Sequence, residues 1–425
     1  MSGKPGKQYQ EQLELATPKE WQELVPAAIL EEVAQEHGGD VKDGKLTAPV
    51  HFWVLIVAVL CPSCSSLKDL ISRFAKRFGS LFGLTRPSAG ADEKPWVSAS
   101  ALSQRNAERP ISFWQRMYER LRQWHFGKGW LRKTWQERFT EIDAIDSSTF
   151  RLVQRLRHIF TGCGKYAALK IHQVYNVGGE LPEEIGIGPA RQHDSKGWRK
   201  ALQGFMKGVL YLLDRGYCCF KTWWQIIDAG SYFLTPLKKG IEWEHVRWLN
   251  RKRQRDRVRD RLIHIPGMAR EGEMVLLRLV EILQPDGTWW SYVTNLTDED
   301  LTPEDIAELY SLRWRIEIFF RHLKHTLNME HFFAQSEAGV MAQLYAAMIA
   351  YLLCQVVLLW ASRDAKLPPE YFRFTTVVHE LASWLSSQLV HNSLLPLQQL
   401  ILQVRIYAKE IDRRRNPNIV KPLPA

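Results

Sequence analysis

The residues of this chain that could do chemistry together are recognised first by their spacing. Tyr310, Arg313, Glu317 and Lys324 follow Pro303, a residue favoured in the first turn of a helix. At about 100° per residue, the four side chains project from a helix within an arc of about 60°. An apolar stripe lies beside them and would anchor the helix to a core. A carboxylate between two cations is more often a surface ion pair, so a catalytic interpretation needs further carboxylates elsewhere.

Two aspartates at the ends of apolar runs could complete such a site. Asp146 ends the run 142–145 and Asp214 ends the run 209–213, so each is predicted at the end of a buried strand. An unpaired carboxylate there is costly, and a bound metal ion removes the cost. We predict that Asp146, Asp214 and Glu317 hold two Mg²⁺ ions, for which Mn²⁺ can substitute. Asp143 faces the other side of the same strand and is left out of this site.

Three carboxylates with two metal ions are suited to chemistry at phosphorus. Two ions about 4 Å apart would activate the attacking oxygen and stabilise the leaving one during in-line displacement. Arg313 and Lys324 would hold the phosphate backbone. These residues therefore predict metal-dependent in-line displacement at phosphorus.

Three segments carry a resemblance to a known family. The segment YSLRWRIEIFFRHLK contains the four spaced residues, and the segments AIDSSTF and LLDRGY contain Asp146 and Asp214. In this order they resemble the signature of DDE transposases of the insertion-sequence-four type, over about residues 139–361. The chain departs slightly from that pattern at Cys218, where the family often has Phe.

The resemblance implies a fold and roles for particular residues. The fold is α/β, an RNase H-like catalytic core with a β-rich insertion between the second aspartate and the glutamate. Tyr310, Arg313 and Lys324 would contact DNA near the cleaved end. Related enzymes cut through a hairpin intermediate and stack a flipped base on a tryptophan of the insertion, for which Trp290 or Trp289 is the candidate.

The charge of the chain favours a polyanionic partner. Its formal net charge is +11, and clustered Lys and Arg gain free energy by releasing phosphate counterions. Nucleic acid is the first expectation and an anionic membrane the second. The most basic block lies within residues 251–261, where Arg251, Arg253 and Arg255 are predicted to contact DNA.

One uncharged stretch, residues 340–362, is long enough to span a bilayer. Gln343 and Gln355 interrupt it, so a buried core helix is expected instead. The six cysteines form no paired framework, and the N-terminus has no apolar signal region. A cytoplasmic, nucleoid-associated protein without a membrane anchor is therefore expected.

Local patterns divide the chain into five regions. Helix is also predicted at residues 195–206, and helix predominates from Pro303 to near Ala408. A helix after Ser98 carries Arg105, Arg109, Arg116 and Arg120, which would face either DNA or solvent. The predicted regions are a helical N-terminal domain that binds DNA ends (1–135), the first part of the RNase H-like core (136–237), the β-rich insertion with a basic arm (238–298), the second part of the core with the glutamate helix (299–335) and a C-terminal helical region (336–425).

The leading hypothesis is a cut-and-paste transposase that binds terminal inverted repeats. Water would attack the DNA first, and the freed 3′-hydroxyl would then attack the target. Because two ends must be brought together, a homodimer on DNA is expected. The alternatives are a catalytically silent, transposase-derived DNA-binding protein and a protein that spans a membrane once.

Overall fold

The computed structural model describes residues 24–37, 46–61, 66–68, 70–71, 97–125, 135, 137–192, 204–217, 219–367, 369–391 and 399–406. The predicted helix at 195–206 lies outside these ranges except for residues 204–206, which are not helical. Cys218 also lies outside them.

The described residues form helices and strands that belong to two compact units. The helices are α1 (Ala27–Glu36), α2 (Ala48–Leu60), α3 (Ala99–Glu108), α4 (Ile111–His125), α5 (Phe220–Asp228), α6 (Pro303–Ser311), α7 (Trp314–Arg321), α8 (Glu337–Ala365) and α9 (Phe374–His391). The strands are β1 (Ile142–Leu152), β2 (Ala167–Asn176), β3 (Leu181–Pro189), β4 (Leu210–Leu213), β5 (Tyr232–Pro236), β6 (Glu244–Trp248), β7 (Val258–His264), β8 (Leu277–Leu283) and β9 (Trp289–Thr294). The helical unit comprises the described residues within 1–127, 151–159 and 321–422, and the sheet unit comprises the described residues within 128–150 and 160–320.

The sheet unit is built on one nine-stranded sheet. Its strand order is β3-β2-β1-β4-β5-β9-β8-β7-β6. Strands β1, β4 and β5 are parallel neighbours, whereas β2 and β3 pair antiparallel. This mixed sheet with helices confirms the predicted α/β class, and its first five strands have the order of an RNase H-like core.

The β-rich insertion extends the core sheet. Strands β6 to β9 form an antiparallel meander, and β9 pairs antiparallel with β5. Buried residues from β4, β5, β7, β8 and β9 pack into one apolar cluster, in which the rings of Trp223 and Phe233 stack at 4.7 Å. Core and insertion therefore share both a hydrogen-bond ladder and a hydrophobic core.

The parallel pairing of β1 with β4 sets the position of two acidic residues. Ile145 pairs with Leu213, so the residues that follow them, Asp146 and Asp214, emerge side by side. The expectation that Asp146 ends its strand was wrong, because β1 continues to Leu152 beyond the end of β4. Asp146 lies inside β1, beside the point at which the neighbouring strand β4 ends.

The helical unit is organised around α8. This 29-residue helix contacts α2, α3, α4 and α9, and its residues from Gly339 to Ser362 are buried. Among the described residues, it is the one helix long and apolar enough to span a membrane, and its most apolar window is entirely buried. The predicted buried core helix is thus confirmed for residues 340–362.

Most arginines of α3, α4 and their junction make contacts within the protein. Arg109 is 2% exposed and its Nε donates to Nδ1 of His51 at 2.8 Å. Arg116 and Arg120 form ion pairs with acidic neighbours at 3.2 and 2.6 Å. These contacts favour structural roles for three of the four arginines that could have formed a DNA-binding face.

Candidate active site

Asp146 and Asp214 are each held by a nearby backbone amide. The N–H of Ser147 donates to Oδ1 of Asp146 at 2.7 Å, and the N–H of Gly216 donates to Oδ2 of Asp214 at 3.2 Å. Asp214 follows β4 directly and is succeeded by a short 3₁₀ turn, Arg215–Tyr217. Local hydrogen bonds therefore orient both carboxylates at the point where β4 ends.

The expectation that a single helix carries Tyr310, Arg313, Glu317 and Lys324 is wrong, because the chain tightens between α6 and α7. The amide of Arg313 donates to the carbonyl of Tyr310 at 3.0 Å, and the amide of Ile316 donates to that of Arg313 at 3.2 Å. These bonds span three residues, as in a 3₁₀ helix, so side chains three apart eclipse one another. The guanidinium of Arg313 consequently lies 5.7 Å from the centre of the Tyr310 ring.

Arg313 bridges Asp146 and Glu317. Its Nη1 lies 3.2 Å from Oδ2 of Asp146, and its Nη2 lies 2.5 Å from Oε1 of Glu317. The Arg313 side chain is 12% exposed, whereas those of Asp146 and Glu317 are 20% and 30% exposed. One guanidinium thus links a carboxylate of the sheet to a carboxylate of α7, from positions 167 residues apart in the chain.

The electrostatics of the site show the proximity of the three carboxylates. Burial raises the pKa of Asp146 to about 6, against the lowering effects of the Ser147 amide and Arg313. The charges of Asp214 and Glu317 raise it further. Burial acts to lower the pKa of Arg313, but Tyr310, Glu317 and Asp146 outweigh it and the net direction is upward. Negative charge is therefore concentrated here, a setting that favours a bound cation.

Contacts with the insertion position α6. The rings of Tyr310 and Tyr292 of β9 lie 4.9 Å apart, and burial raises the pKa of Tyr310 above its usual range. Arg278 is 1% exposed and forms a two-pronged ion pair with Asp260 at 2.7 and 2.8 Å. It also donates to the carbonyl of Leu301, one residue before the N-cap of α6. The start of α6 is therefore tied to β7 and β8.

Lys324 lies beyond the end of α7, on a π-helical turn that spans His322–Thr326. It belongs to the helical unit, whereas the other five predicted residues of the centre belong to the sheet unit. Burial lowers the pKa of Lys324, and Glu330 opposes that effect. The sheet unit thus contains Asp146, Asp214, Tyr310, Arg313 and Glu317. Lys324 lies in the helical unit, where Glu330 is a charged neighbour.

The predicted DNA-contacting residues of the insertion differ in their environments. Arg251 and Arg253 are exposed at a 3₁₀ turn, but the guanidinium of Arg255 stacks 3.9 Å from the centre of the Trp248 ring. The guanidinium of Arg259 lies 4.0 Å from the centre of the Trp289 ring. Trp290 is half-buried on the opposite face of β9. Arg255 and Trp289 are therefore engaged in packing within the insertion.

A second group of acidic residues was not predicted from the sequence. Oxygens of Glu141, Asp143 and Glu183 lie within 4.8 Å of one another, and Asp143 is 1% exposed. By strand alternation this group faces away from Asp146. Glu141 and Asp143 could have been paired from their spacing of two, but Glu183 is 40 positions away from Asp143 and required the folded sheet.

Comparisons with known proteins show the family to which the chain belongs. A family model described as Transposase DDE domain matches residues 137–353. The protein y4zB of Sinorhizobium fredii, named as a transposase, is 28% identical over 282 residues, which cover 65% of this chain and 75% of y4zB. The transposase for insertion sequence element IS231B of Bacillus thuringiensis subsp. berliner is 22% identical over 398 residues, covering 81% of this chain and 80% of that protein.

A solved structure, the piggyBac transposase synaptic complex with hairpin DNA, aligns with 92% of this chain and 82% of its own at 11% identity and a TM-score of 0.41. The match to the family model spans half of the chain and includes Asp146, Asp214 and Glu317. The resemblance inferred from the three sequence motifs is thereby confirmed, and the chain belongs to the DDE transposase family.

Proposed function

We propose that this DDE transposase acts by a cut-and-paste route, with Asp146, Asp214 and Glu317 as ligands of two Mg²⁺ ions that Mn²⁺ can replace. The observation that carries the proposal is their convergence. Asp146 and Asp214 follow paired positions of parallel strands, and Arg313 contacts both Asp146 and Glu317.

The donor set suits such ions. All three side chains offer carboxylate oxygens, the hard ligands that Mg²⁺ prefers. Oδ1 of Asp214 and Oε2 of Glu317 accept no hydrogen bond from any residue that the structure describes. These two oxygens are open to a metal ion, whereas Oδ2 of Asp146 and Oε1 of Glu317 contact Arg313.

The protein's own groups would hold DNA for displacement at phosphorus. Bound divalent ions would supply Lewis acidity at the reacting phosphate and lower the pKa of an attacking hydroxyl. Tyr310 and Arg313 would contact the phosphates beside the scissile bond, and Lys324 would add a further positive charge. The substrates would be the terminal inverted repeats of the element and then the target DNA.

The insertion would add contacts further from the centre. Arg251 and Arg253 are exposed and can reach phosphates, so they would strengthen binding without regard to base sequence. Arg255 would act mainly through its stacking on Trp248. Trp290 is the candidate platform for a flipped base.

We also propose a homodimer on paired DNA ends, in the cytoplasm and on the nucleoid. A dimer places two active sites against two ends, as synapsis requires. The catalytically silent alternative has no support among the described residues, since the three carboxylates are present and adjoin one another.

The test is cleavage of DNA that carries the sequences flanking the coding region. With Mg²⁺, the full-length protein should nick this DNA, and EDTA should abolish the nicking. Asp146→Asn, Asp214→Asn and Glu317→Gln should each lower the rate at least about a thousandfold, because each removes a metal ligand. Binding of the same DNA, measured by fluorescence anisotropy, should persist.

Two matched variants keep the test specific. Glu304→Gln changes an exposed acid in the first turn of α6 and should leave the nicking rate unaltered. Glu183→Gln removes one member of the other acidic group and should also retain metal-dependent nicking. Full activity of Asp146→Asn, or loss of activity in Glu183→Gln with its fold intact, would contradict the proposal. The metal site would then lie with Glu141, Asp143 and Glu183 on the opposite face of β1.

A further inference from the structure

Arg313 pairs with two carboxylates that a divalent cation would otherwise hold together. Its two terminal nitrogens contact Oδ2 of Asp146 and Oε1 of Glu317, one oxygen from each proposed ligand. A planar guanidinium can bridge two carboxylates in this way because its donors form a fixed fork. The side chain is 12% exposed, so water screens these two contacts only weakly.

We propose that Arg313 is a positioning residue that competes with divalent cations: its guanidinium holds Asp146 and Glu317 together before metal binds and leaves them when metal binds. This inference rests on the proposed metal site. It adds a role for Arg313 in the metal-free protein to the expected contact with DNA.

Competition follows from the distances. Mg²⁺ binds a carboxylate oxygen at about 2.1 Å. Nη2 of Arg313 already lies 2.5 Å from Oε1 of Glu317, so a metal ion on that oxygen would lie within a few ångströms of the guanidinium. Two cations that close, in a poorly screened site, repel strongly. The guanidinium must therefore move away as the metal enters.

The structure offers the displaced side chain another favourable surface. The centre of the Tyr310 ring lies 5.7 Å from the guanidinium, and an aromatic face attracts a cation. From there the five donors of Arg313 would be free to contact a DNA phosphate. Metal binding would thus convert a group that neutralises the site into one that binds DNA.

Arg315, in the first turn of α7, provides a matched control. It lies two residues away, pairs with Glu180 at 2.8 Å and donates to the carbonyl of Val177 at 3.2 Å. Neither of these two contacts involves Asp146 or Glu317. Substituting either arginine removes one positive charge from this part of the sheet unit, but only one substitution frees the proposed ligands.

The experiment is a Mn²⁺ titration of the full-length, DNA-free protein by calorimetry. Arg313→Gln should bind Mn²⁺ about tenfold more tightly than wild type, because metal no longer displaces two charge-assisted hydrogen bonds. Arg313→Lys should also bind more tightly than wild type, since an ammonium keeps the charge but cannot bridge both carboxylates. Arg315→Gln should stay within about twofold of wild type.

Thermal unfolding gives a second readout. Without metal, Arg313→Gln should unfold at a lower temperature than wild type, because Asp146 and Glu317 lose their counter-ion. Saturating Mn²⁺ should raise its midpoint by more than it raises that of wild type, since a tighter ligand stabilises more. The Arg315→Gln protein should show the wild-type increment.

The possible outcomes separate this inference from the proposed function. Unchanged or weaker Mn²⁺ binding by Arg313→Gln overturns the competition, and so does wild-type affinity in Arg313→Lys, which would leave net charge as the cause. If wild type binds no Mn²⁺, or if Asp146→Asn binds it equally well, the proposed metal site itself is wrong.

Discussion

Two neighbouring tryptophans of β9 have different surroundings, and these determine which of them is engaged in packing. Trp289 and Trp290 point to opposite faces of the strand. Trp289 packs against the guanidinium of Arg259, whereas Trp290 lies opposite Ile282 and has no ring or cation contact with a described residue. Trp290 is therefore the tryptophan of this pair that we propose as the platform for a flipped base.

Substitution of these residues should have different effects. Trp290→Ala should weaken binding of a DNA end that exposes an unpaired base by about 1–3 kcal/mol, the usual value of one base–aromatic stack. A 2-aminopurine placed at that base should lose its protein-dependent quenching. Trp289→Ala should instead lower the unfolding temperature and leave the quenching in place. Equal quenching by wild type and Trp290→Ala would remove Trp290 from the DNA contacts.

At this scale local sequence patterns selected three carboxylates that lie near one another in the structure, but they did not predict the contacts of those carboxylates. Asp146 and Asp214 were found because carboxylates at the ends of apolar runs are unusual, and Glu317 because of its helical spacing with Arg313. The bridge from Arg313 to Asp146 joins positions 167 apart, so no local pattern could reveal it. The buried state of Arg109 was missed for the same reason, since its partner His51 is 58 positions away.

Among the elements, α6 depends on a buried ion pair for its position. Arg278 links Asp260 of β7 with the carbonyls of Asp298 and Leu301, which precede the helix. Arg278 and Asp260 are 1% and 5% exposed at their side chains. A buried pair of this kind is costly to break by removing one partner, because the other charge stays buried.

Arg278→Met should therefore destabilise the sheet unit by about 3–5 kcal/mol. Urea unfolding followed by tryptophan fluorescence measures the loss. The double variant Arg278→Met with Asp260→Leu should recover part of it, since no uncompensated charge then remains. If the double variant were no more stable than Arg278→Met alone, the uncompensated charge of Asp260 would not be the cause of the loss.

Element boundaries show why periodicity alone was insufficient. The stretch after Pro303 has continuous helical periodicity, yet the chain tightens at Leu312 and widens into a π turn at His322–Thr326. Such changes shift a side chain's direction without altering the apolar pattern. The predicted arc of about 60° was therefore wrong in its geometry, although it correctly selected Tyr310, Arg313 and Glu317 as neighbours.

For the molecule as a whole, buried histidines make stability depend on pH. Burial and the charge of Arg109 lower the pKa of His51 to about 3, and burial lowers those of His125 and His322 to about 4. All three belong to the helical unit. Below the unfolded pKa of about 6.5, the unfolded chain binds protons that the folded unit does not, so stability present above that pH is lost on acidification.

The expected slope is up to about 1.4 kcal/mol per pH unit for each histidine between pH 6.5 and about 4. Urea unfolding of the full chain at several pH values measures it. His51→Gln should reduce the slope of the helical unit by about one third, whatever it does to stability at pH 7. His379→Gln, at a side chain that is 81% exposed, should leave the slope unaltered. A slope unaffected by His51→Gln would contradict a neutral, buried His51.

Long-range organisation was the least predictable level. The α/β class followed from alternating strand and helix patterns, and the buried state of residues 340–362 followed from their interrupting glutamines. Helices from both ends of the chain nevertheless belong to one unit, in which Gln115 donates to the hydroxyl of Tyr345 at 3.1 Å. That grouping depends on contacts between segments 230 residues apart, beyond the reach of any local pattern.

The junction between β5 and β9 limits what the sheet unit can do mechanically. Leu234 pairs with Thr294, and the side chain of Asn295 accepts from the amide of Phe233 at 2.9 Å. Asp146 and the strands of the insertion thus belong to one continuous hydrogen-bonded sheet. A duplex that touched both would have to adopt the protein's fixed spacing, and the elastic cost of bending would fall on the nucleic acid.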